Sequence, residues 1–118
     1  IQVVTPLDES RLRTELTQLF DKGFRSAAVL LVHSYAFRRH EEAVGRVCKE
    51  VGFSQVSLSS QIMPMVKAVP RGLTACADAY LTPSIARYLE TFQAGFDKGL
   101  SDVELLFMQS DGGLSPVA

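Results

Sequence analysis

The feature that most constrains the fold is an unbroken run of six apolar residues at positions 27–32. Because the run has no polar alternation, it predicts a strand that is covered on both faces. A helical pattern at about 38–51 follows, and residues 55–59 form the next predicted strand. Short connections of this kind favour two parallel strands joined by a right-handed crossover. The sequence therefore predicts an α/β fold built of strand–helix–strand units with a mainly parallel sheet.

Two further elements are predicted on the N-terminal side of this unit. Residues 2–4 fit a short strand. Asp8 is expected to cap a helix whose apolar stripe ends at Phe20, and Gly23 is expected to end that helix.

On the C-terminal side, residues 60–72 are expected to be irregular because prolines and a glycine interrupt them. A long helix is predicted from residue 73, and its inward face carries Leu73, Cys76, Ala77, Tyr80 and Leu81. Pro83 either kinks this helix or begins a new one after Thr82. We favour one kinked helix that continues through Phe96 and ends near Gly99. A last strand at 103–109 precedes a turn at 110–113.

The composition argues against two classes of partner. The chain carries 12 basic and 13 acidic residues, and it has no basic cluster interleaved with aromatic residues. We therefore expect no nucleic acid partner. No apolar run approaches the roughly 18 to 20 residues that span a bilayer, so we expect no membrane partner.

Two cysteines, Cys48 and Cys76, fall at apolar positions of predicted helices. We interpret both as buried free thiols in a reducing compartment, and one disulfide between them is the alternative. His33 and His40 have no cysteine or carboxylate partner at a recognised metal-ligand spacing, so we predict no metal site. His40 is interpreted as a packing or capping residue.

Three predicted strand ends deliver polar side chains. Ligands of open α/β sheets bind outside the carboxyl ends of parallel strands. This rule directs attention to His33 and Ser34, to the serines at 59–60, and to the turn formed by Gln109, Ser110, Asp111, Gly112 and Gly113. The two glycines allow close approach of a ligand, so the turn is a candidate contact for a phosphate or a substrate amide. The alternative is a tight turn that only ends a strand.

Other polar residues also leave two interpretations. His33 is either a proton carrier near neutral pH or a hydrogen-bonded structural residue. Asp78 lies among small residues, so its carboxylate is expected to be paired, with Arg71 as a candidate partner, or to contact a ligand. Glu41 and Glu42 are interpreted as a solvated helix face.

A series of short motifs runs through nearly the whole chain. In order they are Val32-His33-Ser34-Tyr35, His40-Glu41, 56–60, Met63-Pro64-Met65-Val66, Val69-Pro70-Arg71-Gly72, 74–83 and 107–114. Their order and spacing resemble the hydantoinase A / 5-oxoprolinase family, and the 74–83 block is most similar to its ATP-dependent 5-oxoprolinase branch. N-methylhydantoinases and acetone-carboxylase type subunits share the order and are the nearest alternatives. Phe37-Arg38-Arg39 departs from the Asn-Pro pair frequent in the family, as Asp78 and Asp111 depart from its frequent Asn.

The resemblance implies an architecture and a chemistry. Full-length members are similar to two-lobed ATPases, so the chain is expected to be a fragment of an actin-like (sugar kinase/Hsp70-like) ATPase architecture. Members of this branch open the lactam of 5-oxo-L-proline to L-glutamate in glutathione turnover, with ATP, magnesium and potassium. The resemblance also implies a cytoplasmic location and a homodimer for the full-length protein.

The resemblance also divides the chain into two regions. Residues 1–64 resemble the end of the family's N-terminal region, and residues 65–118 resemble the start of its hydantoinase A region. The family's Asp-x-Gly-Gly-Thr phosphate motifs are not in the sequence, whose first residue is Ile. We therefore expect an internal fragment that binds no cofactor and is inactive alone, with the catalytic residues elsewhere. A non-enzymatic α/β binding module is the alternative.

Overall fold

The computed structural model describes residues 2–96 and 105–116, which belong to two compact units, Ile1–Pro83 and Ser84–Ala118. In chain order the first unit holds α1 (Glu9–Asp21), β1 (Ser26–Val29), α2 (Arg39–Val51), β2 (Gln55–Leu58) and α3 (Ser59–Ile62). Helix α4 (Ala68–Ala94) contributes residues to both units, and the second unit also holds β3 (Leu106–Met108) and β4 (Leu114–Pro116). No helix within the described ranges is long and apolar enough to cross a membrane.

Strands β1 and β2 pair in parallel, with Ser26 opposite Gln55 and Val29 opposite Leu58. Helix α2 connects them, so the predicted strand–helix–strand unit and its parallel pairing are confirmed. Helix α2 ends at Gly52, whose φ of 115° is the left-handed conformation that glycine adopts without strain.

The hydrophobic core of the first unit lies between this sheet and helices α1 and α2. Its buried members and the partly buried residues packed on them are Val29, Cys48, Phe53, Leu58, Leu16, Phe20, Ala27, Val44, Val51 and Val56. The rings of Phe20 and Phe53 meet edge to face with centroids 5.7 Å apart. Gly45 allows α2 to lie close to the sheet, because a Cβ at this position would be 2.9 Å from Leu58 Cδ2.

Helix α1 begins and ends where the sequence predicts. The carboxylate of Asp8 accepts a hydrogen bond of 3.0 Å from the backbone amide of Arg11 and so caps the first turn. Gly23 follows the last turn with a φ of 100°. The strand predicted at residues 2–4 is wrong, because these residues are exposed and pair with no strand among those described.

Strand β1 is shorter and less covered than the sequence predicts. It ends at Val29, and Ser26 and Ala28 are exposed, so the expectation of two covered faces is wrong for the described residues. The physical reason is that side chains of a strand alternate between faces, and only the Ala27 and Val29 face meets the core.

Helix α4 is a single helix of 27 residues with Pro83 inside it, so the prediction of one continuous helix is confirmed. It begins at Ala68, five residues earlier than predicted. Helix α3 occupies the start of the segment expected to be irregular, so that expectation is wrong for much of 60–72. The local reason is that Pro70 lies in the first turn of α4, where a proline is compatible with a helix.

The predicted inward face of α4 is wrong. Leu73 and Tyr80 are 67% and 81% exposed, and Cys76 is exposed as well. The buried residues of the helix are instead Arg71, Gly72, Ala75 and Ala79. Small residues bring this face close to its neighbours, since a Cβ on Gly72 would lie 2.5 Å from Leu30 Cδ2.

In the second unit, β3 and β4 pair antiparallel, with Phe107 opposite Ser115. Within the described residues the last strand therefore belongs to a hairpin, and a mainly parallel sheet is wrong for this unit. The reversal follows from Gly112, whose φ of 85° permits a tight turn. Phe92 packs against Phe107 with ring centroids 6.1 Å apart. Helix α4 ends at Ala94, so its predicted continuation through Phe96 is wrong. The Gly95 amide donates to the Phe92 carbonyl three residues earlier, at 3.2 Å, and this tighter turn ends the helix. The predicted helix end near Gly99 and the first two residues of the predicted last strand lie outside the described residues.

Candidate functional site

An open groove of about 710 Å³ lies beside the C-terminal end of β1. Its walls are formed by residues 2–5, residues 31–37 and His40, and its surface is mainly apolar. The carboxyl end of a parallel strand is where open α/β sheets bind their ligands. A concave, mostly apolar surface with a few polar groups is also typical of small-molecule sites. This groove is therefore the candidate functional site of the first unit.

Both histidines of the chain line this groove. His33 is exposed after β1, makes no side-chain hydrogen bond to the described residues, and meets the Tyr35 ring at a centroid distance of 6.2 Å. His40 is half-buried and contacts the Phe37 ring edge to face at 5.2 Å, so its interpretation as a packing residue is confirmed. An imidazole free of internal hydrogen bonds leaves both ring nitrogens of His33 open to a ligand. Its role as a proton carrier stays a prediction.

A buried carboxylate, Glu41, lies behind the groove wall and is 0% exposed. Its Oε1 accepts hydrogen bonds from the Ser59 hydroxyl at 2.7 Å and the Leu31 amide at 3.2 Å, and its Oε2 accepts one from the Ser60 amide at 2.9 Å. Burial raises the pKa of this carboxyl, but hydrogen bonds from Ser59, Ser60 and Leu31 outweigh the effect and leave its pKa below the ordinary value. Glu41 is therefore ionised at neutral pH.

A buried guanidinium, Arg71, lies on the opposite side of Ser59 and is also 0% exposed. Its Nη2 donates to the carbonyls of Leu31 at 2.6 Å and Val32 at 3.1 Å, and its Nη1 donates to the carbonyl of Met65 at 2.6 Å. Its Nε donates to the hydroxyl of Ser59 at 3.0 Å. A planar guanidinium suits this position because it presents donors in several directions at once.

Ser59 connects the two charges, because its hydroxyl donates to Glu41 and accepts from Arg71. We call these three residues the Glu41–Ser59–Arg71 network. A buried charge is tolerated only when it is paired and hydrogen-bonded, and here one hydroxyl lies between opposite charges. The network lies at the ends of β1 and β2, so it holds together the elements that form the groove wall.

The interpretation of Glu41 as a solvated residue is therefore wrong, whereas Glu42 is exposed as expected. The sequence did carry a signal for the difference. Glu41 stands three and seven residues before Val44 and Cys48, and this spacing places it on the inward face of α2. Glutamate is rarely buried without a compensating group. The opposite charge that reaches Glu41 through Ser59 belongs to Arg71, 30 positions away in the sequence, where no local pattern predicts it.

The strand-end serines belong to the same region. Ser34 is buried, and its hydroxyl donates to the Leu31 carbonyl at 2.9 Å and lies 3.5 Å from the hydroxyl of Ser59. Ser60 is also buried, and its hydroxyl oxygen has no hydrogen-bond partner among the described residues. The sequence rule for strand ends thus brings His33, Ser34, Ser59 and Ser60 to one edge of the sheet.

Asp78 lies on helix α4, and its carboxylate accepts hydrogen bonds from side chains of strand β2. Its Oδ2 accepts from the Ser57 hydroxyl at 2.6 Å and from Gln55 Nε2 at 3.4 Å, and its Oδ1 accepts from Thr82 Oγ1 at 3.1 Å. The candidate pairing of Asp78 with Arg71 is wrong, because Arg71 points to the strand ends and donates to backbone carbonyls there. Within the described residues, hydroxyl and amide groups replace a counterion. A ligand contact of Asp78 stays a prediction.

The Gln109–Gly113 turn lies in the second unit. Asp111 Oδ1 accepts a hydrogen bond of 2.8 Å from the Gly113 amide, and the Gly112 amide donates to the Gln109 carbonyl at 3.0 Å. These two amides therefore donate hydrogen bonds within the turn, and the carboxylate of Asp111 lies beside them. All residues of the turn are exposed, and a contact with ligand stays a prediction for Gln109, Ser110, Asp111, Gly112 and Gly113.

The two cysteines differ in their environment. Cys48 is 1% exposed in the core, and burial raises the pKa of its thiol. Cys76 is exposed, so the prediction of two buried thiols is wrong for this residue, which is not among the buried residues of α4. Both cysteines are free thiols, as expected.

Comparison with known protein families matches both parts of the chain. A model of the hydantoinase/oxoprolinase N-terminal region matches residues 1–52, and a hydantoinase/oxoprolinase model matches residues 71–118. The resemblance noted in the sequence motifs is therefore confirmed. Division of the chain near residue 64 stays a prediction.

Individual relatives extend the similarity across the whole chain. A 5-oxoprolinase from Dictyostelium discoideum is 52% identical over 99% of the chain, and 5-oxoprolinase 1 from Arabidopsis thaliana is 53% identical over 98%. The gamma subunit of acetophenone carboxylase from Aromatoleum aromaticum is 36% identical over 70% of the chain. The chain spans 9% of the length of the two 5-oxoprolinases and 12% of the length of the carboxylase subunit.

Proposed function

The chain belongs to the hydantoinase/oxoprolinase family, and on that premise we propose that it is a segment of an ATP-dependent 5-oxoprolinase. One observation carries the proposal: identity to two 5-oxoprolinases exceeds one half across nearly the entire chain. Similarity to the acetophenone carboxylase subunit is lower and covers less of the chain, so a carboxylase subunit is the second candidate.

The reaction consumes 5-oxo-L-proline, water and ATP and yields L-glutamate, ADP and phosphate. A lactam resists attack by water, and ATP supplies the activation that makes its carbonyl carbon electrophilic. Phosphoryl transfer of this kind depends on positioning and on stabilisation of charge by a metal ion, for which we propose magnesium together with potassium. The proposed setting is glutathione turnover in the cytoplasm, and the proposed assembly is a homodimer of actin-like ATPase architecture.

The described residues do not fit a complete nucleotide or metal site. In residues 2–96 and 105–116 no three side chains of His, Cys, Asp or Glu lie close enough together to hold a metal ion. The glycine amides of the Gln109–Gly113 turn are engaged within the turn. We therefore propose that the groups that bind ATP and magnesium come from other parts of the intact protein.

The segment's proposed contribution is a substrate-facing wall. The groove offers apolar side chains to the methylene groups of a five-membered lactam. It offers to the polar groups of the lactam the imidazole of His33, which makes no hydrogen bond to the part of the chain that the structure describes. The Glu41–Ser59–Arg71 network keeps the backbone of this wall in one conformation.

The test uses the intact protein that carries this segment. ATP hydrolysis and L-glutamate formation are measured in parallel with 5-oxo-L-proline, a hydantoin or acetophenone as the added compound. We expect ADP and glutamate in equal amounts with 5-oxo-L-proline and no stimulation by acetophenone. Stimulation by acetophenone or by the hydantoin, without glutamate formation, would contradict the proposal. A preparation of the 118-residue chain alone is expected to show no turnover.

A further inference from the structure

The backbone of Leu31 is held on both of its polar groups by buried charged side chains. Its amide donates to Glu41 Oε1 at 3.2 Å, and its carbonyl accepts from Arg71 Nη2 at 2.6 Å. The carbonyl also accepts from the Ser34 hydroxyl at 2.9 Å. Leu31 lies beyond the last paired residue of β1, so these contacts replace the ladder hydrogen bonds that end at Val29.

This arrangement fixes the backbone that leads to His33. Arg71 binds the carbonyls of the two residues directly before the histidine, Leu31 and Val32. Residues 31–37 form one wall of the groove, and the Arg71 guanidinium lies 5.9 Å from the centre of the Tyr35 ring in the same wall. Arg71 therefore acts on the groove from behind, without lining it itself.

Arg71 also joins the two family regions. It belongs to the matched region 71–118, whereas Leu31, Val32 and Glu41 belong to the matched region 1–52. Its remaining donors bind Ser59 and the Met65 carbonyl, which lie in the part of the chain between the two matches. One buried side chain thus connects both regions and the segment between them.

We propose that Arg71 is a positioning residue, which holds the wall of the groove around His33 in its binding conformation and couples the hydantoinase A region to the N-terminal region. The structural part of the proposal stands on the contacts of Leu31 and Val32. Its kinetic part rests on the proposed function. Displacement of a substrate-positioning group by about 1 Å lowers rates on the order of 100-fold, so a small relaxation of the wall has a measurable effect.

The first experiment is hydrogen exchange on the intact protein, with Arg71→Lys and Arg71→Met as variants. Lysine keeps the charge but presents all its donors from one nitrogen, whereas Arg71 uses three separate nitrogens, and methionine keeps much of the length without the charge. The matched control is Arg46→Met, because Arg46 pairs with Glu9 on the surface, where both side chains are about half exposed. Amides of residues 30–37 are expected to exchange at least about tenfold faster in both Arg71 variants, while the amides of α2 exchange at the wild-type rate. In the control variant Arg46→Met, exchange at residues 30–37 is expected to stay unchanged.

The second experiment measures steady-state kinetics of the same variants with 5-oxo-L-proline. We expect Arg71→Lys to lower kcat/KM by at least about tenfold with the thermal midpoint nearly kept, and Arg46→Met to stay within about twofold of wild type. Unchanged exchange at residues 30–37 overturns the proposal, and so does faster exchange with unchanged kcat/KM in an active enzyme. If the wild-type protein does not open 5-oxo-L-proline, the proposed function fails, and the exchange result still tests Arg71 independently.

Discussion

Replacement of Glu41 by glutamine is expected to destabilise the fold far more than the same replacement at the adjacent Glu42. Glu41 is 0% exposed and accepts three hydrogen bonds, whereas Glu42 is exposed on the same helix. Both substitutions remove one negative charge and preserve the size of the side chain. The pair therefore separates the effect of burial from the effect of charge alone.

The magnitude follows from the partners of the two carboxylate oxygens. A glutamine at position 41 keeps one acceptor oxygen, so it preserves the hydrogen bonds made by one of the two carboxylate oxygens. In place of the other oxygen it has an NH2 group, which is a donor and therefore faces another donor without forming a hydrogen bond. A hydrogen bond to a charged group is worth about 1.5–3 kcal/mol, and loss of one member of a buried charge pair costs about 3–5 kcal/mol. Because Ser59 separates Glu41 from Arg71, we expect the lower end, about 3 kcal/mol. Glu42→Gln is expected to change stability by less than about 0.5 kcal/mol.

The loss of stability caused by Glu41→Gln is also expected to depend on pH. The folded-state pKa of Glu41 lies below its ordinary value, so its carboxylate stabilises the fold above the unfolded pKa of about 4.3. That stabilisation is lost as the pH falls through the lower folded-state pKa. Wild type then carries an uncharged residue at this position, as the glutamine variant does at every pH. The difference between them is expected to shrink on acidification.

Urea unfolding of the 118-residue chain, followed by far-ultraviolet circular dichroism, measures both effects. The free energies of unfolding of wild type and the two variants are compared at about pH 7 and about pH 3. Equal penalties for Glu41→Gln and Glu42→Gln at neutral pH would refute the assigned burial. A Glu41→Gln penalty that persists undiminished at the acidic pH would refute the assigned charge state.

Three further outcomes are expected. Asp111→Ala is expected to lower turnover of the intact enzyme more than its thermal midpoint. Asp111→Asn keeps an acceptor for the Gly113 amide and is expected to preserve the turn. Unchanged kinetics in both variants would leave the turn with a structural role only. Cys76 is expected to react with a thiol reagent much faster than Cys48 in the folded chain, because Cys48 is buried with a raised pKa, and mass spectrometry of the labelled chain would reveal equal rates if this is wrong. Asp8→Ala is expected to cost about 1 kcal/mol through loss of the α1 cap, and an unchanged urea midpoint would contradict the cap.

The parts of the fold that local patterns determine were predictable from the sequence. Helix α2 and its ends follow from apolar spacing and from Gly52, and the parallel pairing follows from the short connections on both sides of the helix. The rule for strand ends also located the groove, since His33 and the buried serines meet at one edge of the sheet. These signals act within a few residues, so one sequence is sufficient to read them.

The errors arise where residues far apart in the sequence decide the outcome. The packed face of α4 differs from the face that apolar spacing predicts, because its small residues, Gly72, Ala75 and Ala79, carry less apolar surface than the exposed Leu73 and Tyr80. A helix can lie close to its neighbours only where its side chains are small, so small residues are favoured on the packed face. A count of apolar residues does not capture this effect. In the same way, Glu41 and Arg71 are explained only by each other and by Ser59.

The coupling energy between Glu41 and Arg71 tests the network most directly. It is obtained from the free energies of unfolding of wild type, Glu41→Gln, Arg71→Met and the double variant, measured by urea unfolding of the chain at neutral pH. If Ser59 joins the two charges as the structure shows, the double variant loses less stability than the sum of the single variants, by about 1–3 kcal/mol. Additivity of the two penalties within about 0.5 kcal/mol would mean that the charges act independently, which would contradict the network.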